Sequence, residues 1–422
     1  MRYAIIAATV EQVKSVGATD IKEARSAGII FATLTEEQAA RLRSQGCTVS
    51  KVGEVRTAVM PPIVAPPVPV AAAPPYPPEQ LVWAAGMEDL RGITKPPLYG
   101  EGFNLAIIDS GIRETHTKIN GRVVYRKNFT SDRMGDTFNH GTGVCSIALA
   151  VAPLCNILNL KVLDDKGSGT EEDVALAIDD CIALHDTEPT IAPSVINLSL
   201  GAPDDGNPYN PLRVACRAAI DKGIWVIASA GNGGAPRTIT SPACERYVGA
   251  AGSAKYLPDQ QTFVVSNFSS RGPTLEGLTK PDLLLFGEDI VVASSESDTA
   301  TVAKSGTSFA TPFASGMVLG FLEGLLRRAV PIQEIPGVYP ELGIWYFTPA
   351  DVIDKYLAGV TIKPQGIPAG KDNDYGYGLP FGPLIAQTLE LRPAVDISAM
   401  LTPVLAIVLL GMVTTTMAKA FR

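Results

Sequence analysis

Four apolar runs, each closing on small or polar residues, set the first limit on the fold. Asn104-Leu105-Ala106-Ile107-Ile108 ends in Asp109-Ser110-Gly111, and Ile157-Leu158-Asn159-Leu160-Lys161-Val162-Leu163 follows a Pro-containing turn. Val195-Ile196-Asn197-Leu198 ends in Ser199-Leu200-Gly201, and Trp225-Val226-Ile227-Ala228-Ser229-Ala230 ends in Gly231-Asn232-Gly233-Gly234. Strands buried on both faces read as near-continuous runs of this kind, and they belong to parallel sheets covered by helices. The expected class is α/β, with function at the strand tips, where open parallel sheets place their ligands. At 422 residues the chain exceeds one ordinary domain, and 46% apolar content is ample for a large core. A formal charge of −8 argues against nucleic acid as a partner.

The chemistry is concentrated in Ser305-Gly306-Thr307-Ser308-Phe309-Ala310-Thr311-Pro312, followed by Ala314-Ser315-Gly316. One serine stands between a Gly-Thr turn and a small-residue run that reads as a helix start. A nucleophilic serine needs that setting, with its hydroxyl at the mouth of a rigid element and little bulk to block a substrate carbonyl. It also needs a base, and the chain has three histidines. His140, in Asn139-His140-Gly141-Thr142-Gly143-Val144, precedes a small apolar run and is expected on the first turn of a buried helix. His116 and His185 lie among polar residues and are expected on the solvated surface. Asp109, at a strand tip, is the carboxylate that could orient the base, its competing role being to cap the next turn. Asn232 could donate to an oxyanion or simply hold a left-handed turn.

The order Asp109, His140, Ser308 is one of the chain orders in which an acid, a base and a nucleophile build an acyl-transfer site. Ile108-Asp109-Ser110-Gly111, His140-Gly141-Thr142-Gly143 and Gly306-Thr307-Ser308-Phe309-Ala310-Thr311-Pro312 resemble the subtilase family of serine proteases. Asn267-Phe268-Ser269-Ser270-Arg271-Gly272-Pro273, Lys280-Pro281-Asp282 and Tyr375-Gly376-Tyr377-Gly378-Leu379 extend the resemblance to about residues 80–390. It implies a three-layer subtilisin-like domain over 80–392 with a mostly parallel central sheet. It also implies a serine endopeptidase in which Asn232 and the Ser308 N–H hold the oxyanion. Substrate would pair as an added strand with Ser199, Leu200 and Gly201 on one side and Gly167 and Ser168 on the other, with Ala230, Gly231 and Thr307 also at the substrate site. The pocket for the residue before the scissile bond would be walled by 199–201, 230–233 and the stretch near Thr240-Ser241-Pro242-Ala243. These residues are uncharged and mostly small, so apolar or aromatic side chains are expected there. No cofactor or metal is required. Calcium stays open as an option, although the loop that carries it after the histidine in many subtilases has no room here. Gly143 stands where the family often has a second histidine.

Residues 1–60 read as a separate α+β unit with strands over 3–8, 28–34 and 47–59, in the pattern strand-helix-strand-helix-strand. Thr35-Glu36-Glu37-Gln38 is a capping box opening a helix over 36–44. The unit resembles the subtilase propeptide, which implies an N-terminal inhibitor and a self-inhibited zymogen. Residues 61–79 form a linker, with nine prolines between 61 and 78. Proline lacks the N–H that strand addition uses, so self-cleavage is expected in 71–73 or just after Pro78. Residues 398–417 carry no charge and would span roughly 30 Å as a helix, one hydrocarbon core. A transmembrane helix over 396–418 is the expectation, with the protein membrane-associated. Lys419 and Arg422 argue for a cytoplasmic C-terminus, while the first ten residues do not read as a signal peptide, so the side stays open. The six cysteines show no metal-ligand spacing and are expected as free buried thiols. The partners implied are protein or peptide substrates, the N-terminal unit and a membrane. The competing function is a membrane-tethered scaffold or binding module whose site stays filled by its own propeptide.

Overall fold

The computed structural model describes residues 1–57, 75–85, 87, 98–260, 262–328, 358–382 and 384–385. The N-terminal unit comprises β1 (Arg2–Ile6), α1 (Val10–Ser15), β2 (Thr19–Ala24), β3 (Ile29–Thr33), α2 (Glu36–Ser44) and β4 (Thr48–Lys51). Its strands form an antiparallel sheet in the order β2-β3-β1-β4. Both helices open on capping boxes, Thr9 with Gln12 and Thr35 with Gln38, which satisfy N–H groups that helix geometry leaves free. The sheet is buried on both faces, and strand alternation explains how. Tyr3, Ile5, Ile30 and Ala32 pack on Val13, Ala39 and Leu42 of the unit's own helices. Ala4, Ile29 and Phe31 point the other way, into the core of the rest of the chain.

Two expectations for this unit are corrected. β2 adds a strand that the simpler pattern missed. The single strand expected over 47–59 is two: β4 completes the unit's sheet, and after Val52-Gly53 a second strand, β5 (Glu54–Thr57), leaves for a different sheet.

The main elements that follow, up to residue 328, are α3 (Pro78–Ala84), β6 (Asn104–Asp109), β7 (Val123–Asn128), α4 (Gly141–Val151), β8 (Asn156–Lys161), β9 (Ser168–Thr170), α5 (Glu171–Thr187), β10 (Val195–Leu198), β11 (Leu200–Gly201), α6 (Pro211–Asp221), β12 (Trp225–Ser229), β13 (Gly249–Leu257), β14 (Thr262–Val265), β15 (Leu283–Phe286), β16 (Ile290–Ala293), β17 (Thr301–Lys304) and α7 (Thr307–Arg328). Eight strands make the central sheet in the order β14-β13-β12-β10-β6-β8-β7, with β15 also beside β13. Every pairing is parallel except β13 with β14.

β6 shows how the layers are laid down. Leu105 and Ile107 enter a core that contains Val144 and Ile147 of α4 and Phe309 and Phe313 of α7. Ala106 and Ile108 enter a second core with Ala177 and Ile178 of α5 and Ala215 and Ala219 of α6. A strand apolar at every position therefore serves helices on both faces, and the expected three-layer, mostly parallel architecture is the one found. The first 14 residues of the proline-rich segment (61–74) and all of 396–418 lie outside the described residues. Among the described residues no helix is long and apolar enough to cross a membrane.

Candidate active site

Asp109 ends β6 and His140 immediately precedes α4, so parallel strand and helix bring them to one end of the sheet. His140 Nδ1 lies 2.7 Å from Asp109 Oδ1, with both side chains about 1% exposed. Asp109 Oδ1 also accepts the Ser110 N–H at 2.7 Å. The loops carrying the acid and the base are held together by a third carboxylate. Asp136 Oδ1 accepts from His140 N at 3.1 Å and Ser110 Oγ at 2.7 Å, while Oδ2 accepts from Thr142 N at 2.8 Å. Ser110 Oγ in turn accepts from Gly141 N at 3.0 Å. Asp136 thus satisfies free N–H groups at the start of α4 and favours the positive end of its dipole. Sequence reasoning missed it. Its signal was an aspartate four residues before a His-Gly-Thr that opens a helix.

Ser308 is fully buried near the start of α7. Ser199 Oγ donates to the Ser308 carbonyl at 2.7 Å, and the Phe309 ring lies 5.3 Å from the His140 ring. The serine segment is therefore fixed between the β10–β11 junction and the histidine. Asn232 follows β12, and its Oδ1 accepts from Thr307 N at 3.0 Å and Thr307 Oγ1 at 2.9 Å. Those two donors define which way the amide faces and leave its Nδ2 as the donor end. Thr307 is fully buried and engaged in this contact. Its hydroxyl and N–H are both turned to the Asn232 side chain. Ala230 is buried, and its N–H bonds the Ala251 carbonyl while its carbonyl accepts Thr240 N.

The expected substrate-pairing segments do hold a strand, and it is the chain's own. β5 lies between β11 and β9, antiparallel to both. Thr57 is opposite Leu200, and Arg56 is opposite both Gly201 and Ser168. Thr57 N also reaches the Gly167 carbonyl at 3.5 Å. Gly167 has φ +76°, and a Cβ there would lie 2.5 Å from the Phe138 ring, so no larger residue fits. Behind β5, Gly53 N donates to Glu171 Oε2 at 2.7 Å. Glu171 is desolvated there, which raises its pKa against bonds from Asn210 and Gly53 that lower it. Arg2 pairs with Glu172 through Nε–Oε2 at 2.5 Å and Nη2–Oε1 at 2.8 Å, and Lys22 joins at 3.0 Å. Burial pushes the Glu172 pKa up, but the bonds from Arg2 and Lys22 outweigh it and hold the carboxyl below its usual value.

Other expectations change. His116 is buried, not solvated. Its Nε2 lies 2.9 Å from the Ala300 carbonyl and its Nδ1 accepts Lys118 N at 3.2 Å. His185 is half-buried and bonds the Pro193 carbonyl at 3.0 Å, and burial lowers its pKa. A Cβ on Gly143 would lie 2.8 Å from Val292 Cγ2. The β16–β17 hairpin closes on that glycine, which is why no second histidine fits there. All six cysteines are free and buried. Burial raises Cys145 well above the usual thiol pKa, which removes the thiolate that thiol reagents need.

The "Subtilase family" profile matches residues 100–327, more than half of the chain. The chain belongs to the subtilase family. It is similar to Serine protease AprX of Bacillus subtilis (strain 168), at 30% identity over 278 residues, which is 58% of this chain and 60% of that protein. It is also similar to the Thermophilic serine proteinase of Bacillus sp. (strain AK1), at 35% identity over 228 residues, 51% of each. The match spans about half the length of these known relatives. Among solved structures, Sphericase shares the fold with a TM-score of 0.55 and 24% identity, over 67% of this chain and 92% of that one. The subtilase fold explains why the four apolar runs carry their polar tips at one end of the sheet.

Proposed function

We propose that the chain is a subtilase serine endopeptidase made as a self-inhibited zymogen, with residues 1–58 as its inhibitor. Ser308 Oγ attacks the peptide carbonyl. His140 takes the serine proton and gives it to the leaving amine, while Asp109 orients the ring and stabilises the imidazolium. Asn232 Nδ2 and the Ser308 N–H hold the oxyanion. Water then hydrolyses the acyl-enzyme by the same base, and no step calls for a cofactor. The observation that carries this reading is β5, seated as the middle strand between β9 and β11, with β11 following Ser199, whose hydroxyl bonds the Ser308 carbonyl. An extended peptide held on both edges is how a protease presents a substrate backbone.

The direction of β5 also points to the bond that is cut. β5 pairs antiparallel with β11 and runs toward Ser199, with Thr57 opposite Leu200, and the Ser199 hydroxyl bonds the Ser308 carbonyl. We infer that the bond cut lies just past Thr57, and the one to test is Ala58–Val59. This departs from the expectation of cleavage in 71–73 or just after Pro78, positions at least 14 residues past the strand in the cleft. The test is to purify wild type and Ser308→Ala, treat both with a fluorophosphonate and sequence new N-termini. Wild type should label and yield a chain starting at Val59; Ser308→Ala should do neither. A wild type that neither matures nor labels leaves the alternative, a binding module with its cleft permanently filled by β5.

A further inference from the structure

Tyr76 lies inside the segment that reads from sequence as a linker, with Pro75 before it and Pro77-Pro78 after it, yet it is only 5% exposed. Its backbone makes a parallel bridge to Ile290 of β16. Tyr76 N donates to the Asp289 carbonyl at 2.7 Å, and the Tyr76 carbonyl accepts from Val291 N at 2.8 Å. β16 is thus paired with β17 on one edge and with Tyr76 on the other. The ring is anchored as well. It packs edge-on against Tyr256 at 5.7 Å between centroids, Tyr256 packs against Phe286 at 5.6 Å, and Phe286 against Phe313 of α7 at 6.1 Å. The Tyr76 hydroxyl is buried and bonds no group among the described residues, so the aromatic contacts of the ring hold it there.

The strand that Tyr76 pins touches catalytic segments at both of its ends. Asp289, whose carbonyl accepts from Tyr76, is left-handed at φ +58° and donates its own N–H to Ser305 Oγ at 3.0 Å. Gly306 N donates to the Gly287 carbonyl at 2.8 Å, so the start of β16 is bonded to the turn that leads into Ser308. At the other end, Ala293 N donates to Ser146 Oγ of α4 at 3.1 Å. Just past it, Asn139 Nδ2 donates to Ser294 Oγ at 3.0 Å, and Ser295 N donates to Asn139 Oδ1 at 2.8 Å. Asn139 immediately precedes His140, and it too is left-handed, at φ +62°. Residues other than glycine take that conformation at a cost and keep it where their surroundings fix it. β16 therefore runs from the serine turn to the histidine, and Tyr76 closes the edge that β17 leaves free.

We infer that Tyr76 is a positioning residue for the triad: by pinning β16 it sets the serine turn against the histidine. The inference rests on the protease reading above. It moves the start of the catalytic unit to a residue that lies well before residue 100, where the family profile begins to match, and inside a stretch whose prolines argue only for a spacer. Retention of Tyr76 in the mature chain is then a condition of activity, wherever the N-terminal unit is cut away.

The test expresses the full chain, lets it mature and assays peptide hydrolysis well below the melting temperature. Tyr76→Ala should lower kcat by roughly 10- to 100-fold, the cost of misplacing reacting groups by a fraction of an ångström to an ångström. KM should stay within about twofold, because β9 and β11 are not part of this contact, and fluorophosphonate should label Ser308 more slowly by a similar factor. Tyr76→Phe, which gives up only an unbonded hydroxyl, should keep kcat within about twofold of wild type. Tyr76→Leu should lose an intermediate amount, and it serves if the alanine variant fails to fold. Ser305→Ala removes the hydroxyl at the far side of Asp289 and should lower kcat in the same sense. Combined with Tyr76→Ala it should cost no more than the worse single change, since both act through one link. The inference is overturned by an alanine variant that melts earlier with kcat unchanged, by a loss confined to KM, by Phe as damaging as Ala, or by losses that multiply in the double variant. A wild type that neither matures nor labels would instead overturn the protease reading. The link itself is then read by hydrogen exchange, where the Val291 amide should exchange faster in Tyr76→Ala, and unchanged exchange would overturn the pinning of β16.

Discussion

If residues 1–58 inhibit the enzyme after cleavage, the contact between Arg2 and Glu172 should set how long they stay. The perturbation is Arg2→Met, which keeps the aliphatic stem and its packing and removes the guanidinium. Arg2 makes two charge-assisted bonds to Glu172 across the interface, at 2.5 and 2.8 Å, where Glu172 is 6% and Arg2 20% exposed. Removing one partner of a fully buried pair costs about 3–5 kcal/mol, and a solvent-exposed pair is worth about 0–1 kcal/mol. This pair is mostly buried, but Lys22 remains 3.0 Å from Glu172 and is itself half-exposed. A loss of about 2–3 kcal/mol follows, or roughly 30- to 150-fold in affinity. Within one interface such losses fall mainly on the dissociation rate. The assay is the lag between self-cleavage and the onset of hydrolysis of an added peptide, with Arg2→Met expected to shorten it by that factor. A double-mutant cycle with Glu172→Gln separates the contact from any weakening of the small unit itself. If Arg2→Met changes the lag less than twofold, or by the same factor with and without Glu172→Gln, the pair does not hold the inhibitor and the reasoning is refuted.

Three further outcomes are expected. Asn232→Ala should lower kcat by about 10²–10³ with little change in KM, and Thr307→Val, which removes the hydroxyl held 2.9 Å from Asn232 Oδ1, should lower kcat by a smaller factor in the same sense; a change confined to KM would contradict the orienting role. Asp136→Asn should lower kcat and lower the acid limb of the kcat/KM pH profile, because it removes a negative charge bonded to the His140 backbone at 3.1 Å and so disfavours imidazolium; an unmoved limb would reduce Asp136 to a structural cap. Asp282 is desolvated, which raises its pKa, but Lys280 and Lys371 more than offset this and hold it below 3.8. A depressed folded-state pKa means that its stabilisation is complete above the unfolded value and is lost as pH falls through the folded one. Melting of Ser308→Ala should therefore drop steeply below about pH 3.8, and Lys371→Met, which removes a bond of 2.7 Å to Asp282, should flatten that drop; identical pH slopes would exclude the pair as a cause.

How much of this could be read from the sequence depends on how far apart in the chain the partners lie. Asp109, His140, Asn232 and Ser308 stand out as candidates because each sits in its own local signature, a strand tip or a helix start, that needs no distant partner to be recognised. His116 was misread for the opposite reason. Its sequence neighbours are polar, and what buries and bonds it is the loop around Ala300, 184 residues later. Thr307 reads from sequence as a substrate-site residue, and its bonds to Asn232 appear only when loops 75 residues apart are brought together. The most consequential case is 47–59, where one alternating stretch serves two sheets. Nothing in its period separates β4 from β5, because both need the same pattern. The division is made by Gly53, whose N–H and carbonyl are both taken by Glu171, at 2.7 and 3.0 Å, at the start of α5. A Cβ at that glycine would stand 3.0 Å from the Glu171 carboxyl. The turn out of the small unit and into the cleft is thus specified by a carboxylate 118 residues away. The same reasoning makes Gly53 the place where the docking of the small unit and the seating of β5 are coupled. A substitution that crowds Glu171 there disturbs the entry of β5 into the cleft while leaving the sheet of the small unit, closed by β4, intact.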